Sequence, residues 1–272
     1  MFLLLFKSLL RSKVVLSGLL VLLLAGGVSI YIGKKHLLRQ QDNIARVAAQ
    51  QRDHQVRNLK YFDKELGLLL YYLRFGHVNE THPLNGLSIG QRDVHPSVQN
   101  ITIRGLEAQK YDTDLFNPSN LLAGNLDLGF VLLFLFPLVI IALTYNLLSE
   151  EQEGGTWKLV LVQADRPYRV LLQKLGMVAL LVYGTWLLLL AWAAGVLSLP
   201  ADERLGAVFV LSTLYLLVWL AVCFAVVLLQ KRSSINALVL LGIWLLFTIV
   251  LPGAANSIVT TAVPVPEALS TT

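Results

Sequence analysis

The stretch Leu128–Ser149, LGFVLLFLFPLVIIALTYNLLS, runs 22 residues between Asp127 and Glu150 without an Asp, Glu, Lys or Arg. A hydrocarbon core about 30 Å thick is crossed by roughly 20 apolar residues, so this segment can span a membrane as one helix. Taken alone, it would also fit a helix buried in a soluble core. Four more uncharged runs remove that reading: residues 14–33, 175–201, 205–230 and 233–266, of 20, 27, 26 and 34 residues. Apolar residues make up 56% of the 272-residue chain and charged ones 14%, with a mean hydropathy of +0.64. Soluble domains carry roughly 45–50% apolar and about 25% charged residues. A soluble globule, a disordered chain and a disulfide scaffold are thereby excluded, and the single Cys223 can form no intrachain disulfide. The expected fold class is an all-α polytopic membrane protein with about five transmembrane helices.

The ends of the runs refine this. In the last run, the apolar part Ile235–Leu251 meets Pro252-Gly253, which predicts a helix end there and an uncharged exit segment. The first run follows Lys7, Arg11 and Lys13, the basic flank of a signal peptide. Its apolar stretch exceeds the usual h-region and no small-x-small cleavage site clearly follows, so it reads as a retained helix.

Basic residues set the orientation. With the N-terminus inside, the 149–174 loop (Lys158, Arg166, Arg169, Lys174) and the turn at Lys231 and Arg232 are also inside. The short loop Ala201–Arg204, with one Arg against Asp202 and Glu203, falls outside, as the positive-inside rule asks. Residues 34–127 carry 12 basic residues yet fall outside, which long loops tolerate. The net charge of +5 then reads as loops beside anionic lipid headgroups, not as nucleic-acid binding.

Three domains follow: 1–33, 34–127 and 128–272. The middle one is expected to be mixed α/β. Ile44, Val47, Ala48, Val56, Leu59, Phe62, Leu66, Leu69, Leu70 and Leu73 recur mostly at three or four residues, an apolar stripe on a helix continuing from the first span. Beyond Gly76 come the turn residues Pro83, Asn85-Gly86, Gly90 and Pro96, and then a short strand, Val98–Arg104. His77, Glu80, His82 and His95 match no metal template and read as solvated loop residues, so no metal site is expected. Asn79-Glu80-Thr81 and Asn100-Ile101-Thr102 fit the glycosylation pattern, which matters only in a eukaryotic lumen.

The most informative loop is Leu147–Leu175, LLSEEQEGGTWKLVLVQADRPYRVLLQKL. Glu150, Glu151 and Glu153 crowd a helix end, Gly154-Gly155-Thr156 break it, and Trp157–Val162 would lie along the membrane surface. From spacing alone, a solvated acidic turn capping helices is the plainer reading. However, Glu151-Gln152-Glu153-Gly154-Gly155-Thr156 followed by Lys158-Leu159-Val160-Leu161 resembles the E-x-E-x-G-T-x-x-L-L signature of ABC-2-type permeases, the membrane subunits of ATP-binding-cassette transporters. The continuation to Gln173-Lys174-Leu175-Gly176 resembles that family's return into its third helix, and Met1–Lys13 its interfacial elbow helix.

The resemblance implies a coupling helix here that docks into an ATP-binding subunit, with Glu150, Glu151, Glu153, Gly154, Gly155, Thr156 and Trp157 as the partner-binding residues. It also implies a second permease chain, a homo- or heterodimer, and export or outward force transmission across a bacterial inner membrane. ATP and Mg would be bound by the partner, and no cofactor by this chain. Pro83-Leu84 to Gly90, Asn117-Pro118-Ser119 and Gly124-Asn125-Leu126-Asp127 resemble a branch with a large periplasmic domain after the first span, loosely related to copper-enzyme maturation. That branch usually has six spans. Five here imply either a fragment lacking the last helix or a shortened variant.

No G-x-x-x-x-G-K-[ST] stretch occurs, so ATP hydrolysis by this chain is not expected and it is not read as an enzyme. The spans hold no ionisable interior residue of the kind that ion-coupled transporters and intramembrane proteases use. Their sparse polar residues are Thr144, Tyr145, Asn146, Tyr183, Ser212, Thr213, Tyr215 and Asn236, which read as helix–helix hydrogen-bonding groups. Tyr145 and Asn146, just above the loop, are the candidate substrate path. Ala191 and Gly195 form a small-xxx-small pair that permits close helix approach. The alternative function is a membrane-anchored sensor or assembly scaffold whose 34–127 domain binds an envelope protein.

Overall fold

The computed structural model describes residues 11–79, 82–90, 92, 98–102, 124–155, 157, 162 and 167–262. In chain order it contains α1 (Lys13–Tyr61), α2 (Leu66–Tyr72), β1 (Arg74–Val78) and β2 (Val98–Thr102). There follow α3 (Phe136–Thr144), α4 (Ser149–Glu153), α5 (Pro167–Val196), α6 (Glu203–Val227), α7 (Ser233–Leu245) and α8 (Leu251–Ala262). Five helical stretches are long and apolar enough to cross a membrane: Lys13–Tyr61, Leu128–Glu153, Arg169–Val196, Glu203–Val227 and Ser233–Ala262. Each covers most of one of the five uncharged runs, and the first extends well beyond its run. The chain divides into two compact units, Met1–Leu24 with Val131–Leu189 and Gly206–Thr272, and Ala25–Phe130 with Leu190–Leu205.

In the first unit, Phe136 meets Trp186 edge-on with ring centroids 5.6 Å apart, both nearly inaccessible. The Trp186 indole donates to Ser212 Oγ at 2.9 Å, and Tyr183 and Thr213 are hydrogen-bonded nearby, which joins α5 to α6. These span-interior polar residues therefore act as helix–helix partners.

Proline is accommodated twice by the same device. A π-helical turn, Val131–Leu135, precedes Pro137, and another, Leu246–Val250, precedes Pro252. A proline ring clashes with the carbonyl four residues earlier and offers no N–H; widening the preceding turn relieves the clash. This corrects the expected helix end at Pro252-Gly253. The Leu251 amide donates five residues back to the Leu246 carbonyl, and the helix runs on through α8 to Ala262.

In the second unit, α1 stays helical to Tyr61, a 49-residue helix roughly 74 Å long. The expected stripe to Leu73 is broken at Phe62–Glu65, after which α2 begins. Phe62 stacks on Tyr72 at 5.4 Å, while His54 and Asn58 on α1 both reach the Tyr72 carbonyl, at 3.1 and 3.2 Å. β1 pairs antiparallel with β2 in the register Arg74↔Thr102 to Val78↔Val98. Among the described residues of 34–127, strand structure amounts to this one two-stranded ladder beside helices. β1 carries no alternating pattern of its own, because its strand form depends on its partner.

The segments Pro83–Gly90 and Gly124–Asp127 meet through one buried carboxylate. Asp127 accepts from the amides of Ile89 (2.8 Å), Gly90 (3.2 Å) and Phe130 (2.7 Å), and so caps the start of the second span. Gly33 on α1 lies against the carbonyl of Gly86, so close that a Cβ there would overlap its oxygen. His82 Nδ1 accepts from the Leu84 amide, and its Nε2 lies 3.4 Å from an Asp202 carboxylate oxygen.

Gly33→Ala is expected to destabilise this unit by about 1–3 kcal/mol or more, since the obstacle is backbone and cannot rotate away. Gly184→Ala on α5, with nothing within 4 Å of the added Cβ, should be neutral or stabilising. Thermal unfolding in detergent, with trypsin sensitivity of the 34–127 segment, separates the two.

Candidate functional site

The backbone remains helical where the second span leaves its apolar run. The Tyr145 amide donates to Ile141 O at 2.9 Å, Leu147 to Thr144 O at 3.1 Å and Glu150 to Asn146 O at 3.0 Å, carrying α3 through a tight turn into α4. Glu150 and Glu151 fall in the first turn of α4, where carboxylates suit the positive end of the helix. Glu153 closes α4, Gly154 caps it and Gly155 takes φ +73°, the left-handed region that favours glycine. The break is therefore made at Gly155.

The three carboxylates diverge. Glu150 accepts from the Asn146 amide at 3.1 Å. Glu151 pairs with Lys174 of α5 at 2.5 Å, both side chains about one-fifth exposed. Glu153 accepts from the Ser233 amide at 2.9 Å and from its hydroxyl at 3.0 Å, at the start of α7. The Ser233 oxygen also lies 3.0 Å from that of buried Ser149. A carboxylate only accepts, so the single Ser233 proton goes to Glu153 and the Ser149 hydroxyl supplies the other bond. Buried Asn236 donates to the carbonyls of Tyr145 and Lys231, both at 3.3 Å.

Beneath this polar layer Leu148, Leu171 and Val227 form a buried cluster, against which Leu147, Trp157 and Phe224 pack. Trp157 thus lies on protein. Thr156 lies outside the described residues, as does most of the surface helix expected over Trp157–Val162. Tyr145 enters the network through its backbone, and Asn146 through Glu150. Lys174, Ser149, Ser233 and Asn236 complete an arrangement that local spacing does not reveal. One signal was available: Arg232, the N-cap of α7, makes no capping bond, so the helix needs an outside acceptor.

A cavity among the described residues of this unit lies elsewhere. A space of about 420 Å³ is lined by Leu133, Phe134, Tyr215, Trp219, Phe247 and Thr248, among others, and includes neither Tyr145 nor Asn146. The Tyr215 hydroxyl donates at 2.7 Å to the Leu133 carbonyl, which Pro137 cannot serve. Among the described residues no group of three or more His, Cys, Asp or Glu could hold a metal; Glu80 and His95 lie outside them.

The family model described as ABC-2 family transporter protein matches residues 6–268, nearly the whole chain. No curated protein and no solved structure matches it.

Gly155→Ala should cost about 1–2 kcal/mol from its left-handed backbone, and Gly155→Asn less. Tyr215→Phe should cost roughly 0.6–2 kcal/mol by leaving the Leu133 carbonyl unmatched. Thermal unfolding of the purified chain reads both.

Proposed function

The chain belongs to the ABC-2 transporter family, and from that premise we propose that it is the permease subunit of an ATP-binding-cassette machine in which a separate subunit hydrolyses ATP and grips the 149–174 loop. One observation carries this reading: the loop is a short helix with a glycine break, hydrogen-bonded to the start of one further span and ion-paired to another. A load applied to it is delivered to several membrane helices at once. Coupling needs contact energies that differ between two states, and a braced loop can carry such a difference.

ATP and Mg belong to the partner, and this chain contributes no catalytic group. Glu150 is the carboxylate best placed to meet basic residues of that subunit, because Glu151 is neutralised by Lys174 and Glu153 is held at Ser233, whereas Glu150 accepts only from the neutral side chain of Asn146 on its own segment. In this reading the N-terminus and this loop lie in the cytoplasm and residues 34–127 in the periplasm of a bacterial inner membrane. Contacts within each unit support the sides assigned by charge. The Ala201–Arg204 turn meets the 34–127 segment through Asp202 and His82, and the 149–174 loop meets the Lys231–Ser233 turn through Glu153. Two permease chains pair, and the machine exports a cargo or transmits force outward. The branch related to copper-enzyme maturation fits the Pro83–Gly90 and Gly124–Asp127 segments that Asp127 locks together.

A photocrosslinking residue at Glu150, with the chain in its native membrane, is expected to capture a P-loop ATPase. Capture of no ATPase there, with crosslinks to an envelope protein from position 203, would make the chain a scaffold acting through its outer domain.

A further inference from the structure

The position of the three glutamates goes further than a docking face. Ser149 and Glu153 stand four residues apart on one face of α4, and the Tyr145 carbonyl lies in the turn before it. All three meet the first turn of α7: the Tyr145 carbonyl at Asn236, and Ser149 and Glu153 at Ser233. The third span is joined to the loop by the chain itself, so loop motion reaches it regardless. The fifth span is joined to the loop only through space, and it is the least buried of the five, with 11% of its apolar window inside the protein. Its first amides need acceptors, and Arg232 supplies none. The acceptor comes from Glu153, 80 positions earlier.

We propose that Ser149, Glu153, Ser233 and Asn236 form a polar seam that fastens the 149–174 loop to the fifth span, so that the two move as one body when the loop is driven. The seam rests on the permease reading, since it transmits only what a partner applies to the loop. Glu153 and Ser233 are positioning residues. They touch neither nucleotide nor cargo, and they decide which helix follows the loop. Displacing the loop without the fifth span would strip Ser233 of Glu153 and Ser149 at once, and leave the buried Asn236 amide with the Lys231 carbonyl alone. Moving both together breaks nothing in the seam.

Spin labels test this in the full chain, purified with the ATP-binding subunit that accompanies it and placed in lipid nanodiscs, without nucleotide and after vanadate trapping. One pair sits at Gln152 and Leu238, across the seam and outside it; a second, at Gln152 and Leu211, reports loop motion against the fourth span. In the natural sequence the second distance should shift on trapping, and the first should stay narrow and unchanged. With Glu153→Gln or Ser233→Ala, the first distance should broaden and shift on trapping while the ATP-binding subunit still co-purifies. Arg232→Ser offers α7 a local cap: added to Glu153→Gln, it should restore thermal stability without restoring the narrow 152–238 distance. Restoration of both would reduce Glu153 to a helix cap and overturn the seam. So would a 152–238 distance that shifts in the natural sequence, or one that stays narrow in both variants. Absence of any co-purifying ATPase, or a loop unmoved by trapping, would overturn the permease reading and the seam with it.

Discussion

Within hydrocarbon no water serves a backbone N–H or C=O, so each must find a partner inside the protein, and helices meet that demand residue by residue. The chain obeys this even where proline removes a donor. At Pro137 the turn before it widens to a π-turn and the stranded Leu133 carbonyl takes the Tyr215 hydroxyl from another span. At Pro252 the same widening lets the fifth span continue into α8. Residues of both turns line the cavity of about 420 Å³, so that space lies where the backbone ladder is loosened.

The same constraint acts at helix ends. The second span begins under Asp127, whose carboxylate gathers three amides and in doing so draws in the Pro83–Gly90 segment. The fifth begins under Glu153, donated by the 149–174 loop. Asp127 caps its own helix through the Phe130 amide and also gathers two amides 37 and 38 residues earlier, whereas Glu153 caps a helix 80 residues away; either way the cap doubles as a long-range tie. A Ser or Asp at position 232 would cap the fifth span from within and leave it untied to the loop.

The chain belongs to the ABC-2 transporter family. In the proposed permease reading, what matters is which helices share a displacement. The ion pair to Lys174, the bonds to Ser233 and the cluster around Leu148, Leu171 and Val227 brace one short loop to three spans of the first unit.

The sequence by itself determined the five spans, the start of the second beside Asp127 and of the fifth beside Arg232, and the helix break at Gly154-Gly155. These follow from local quantities: run length against bilayer thickness, and the backbone freedom of glycine. The E-Q-E-G-G-T motif also marked the loop. Only the tertiary structure decided what each glutamate does, because partners 23 and 80 residues away leave no periodic trace. It likewise decided β1, which exists by pairing with β2, and the passage through Pro252, where a widened turn outweighs a local breaker. A hydrogen bond between distant segments depends on where folding brings them, and composition carries no record of that.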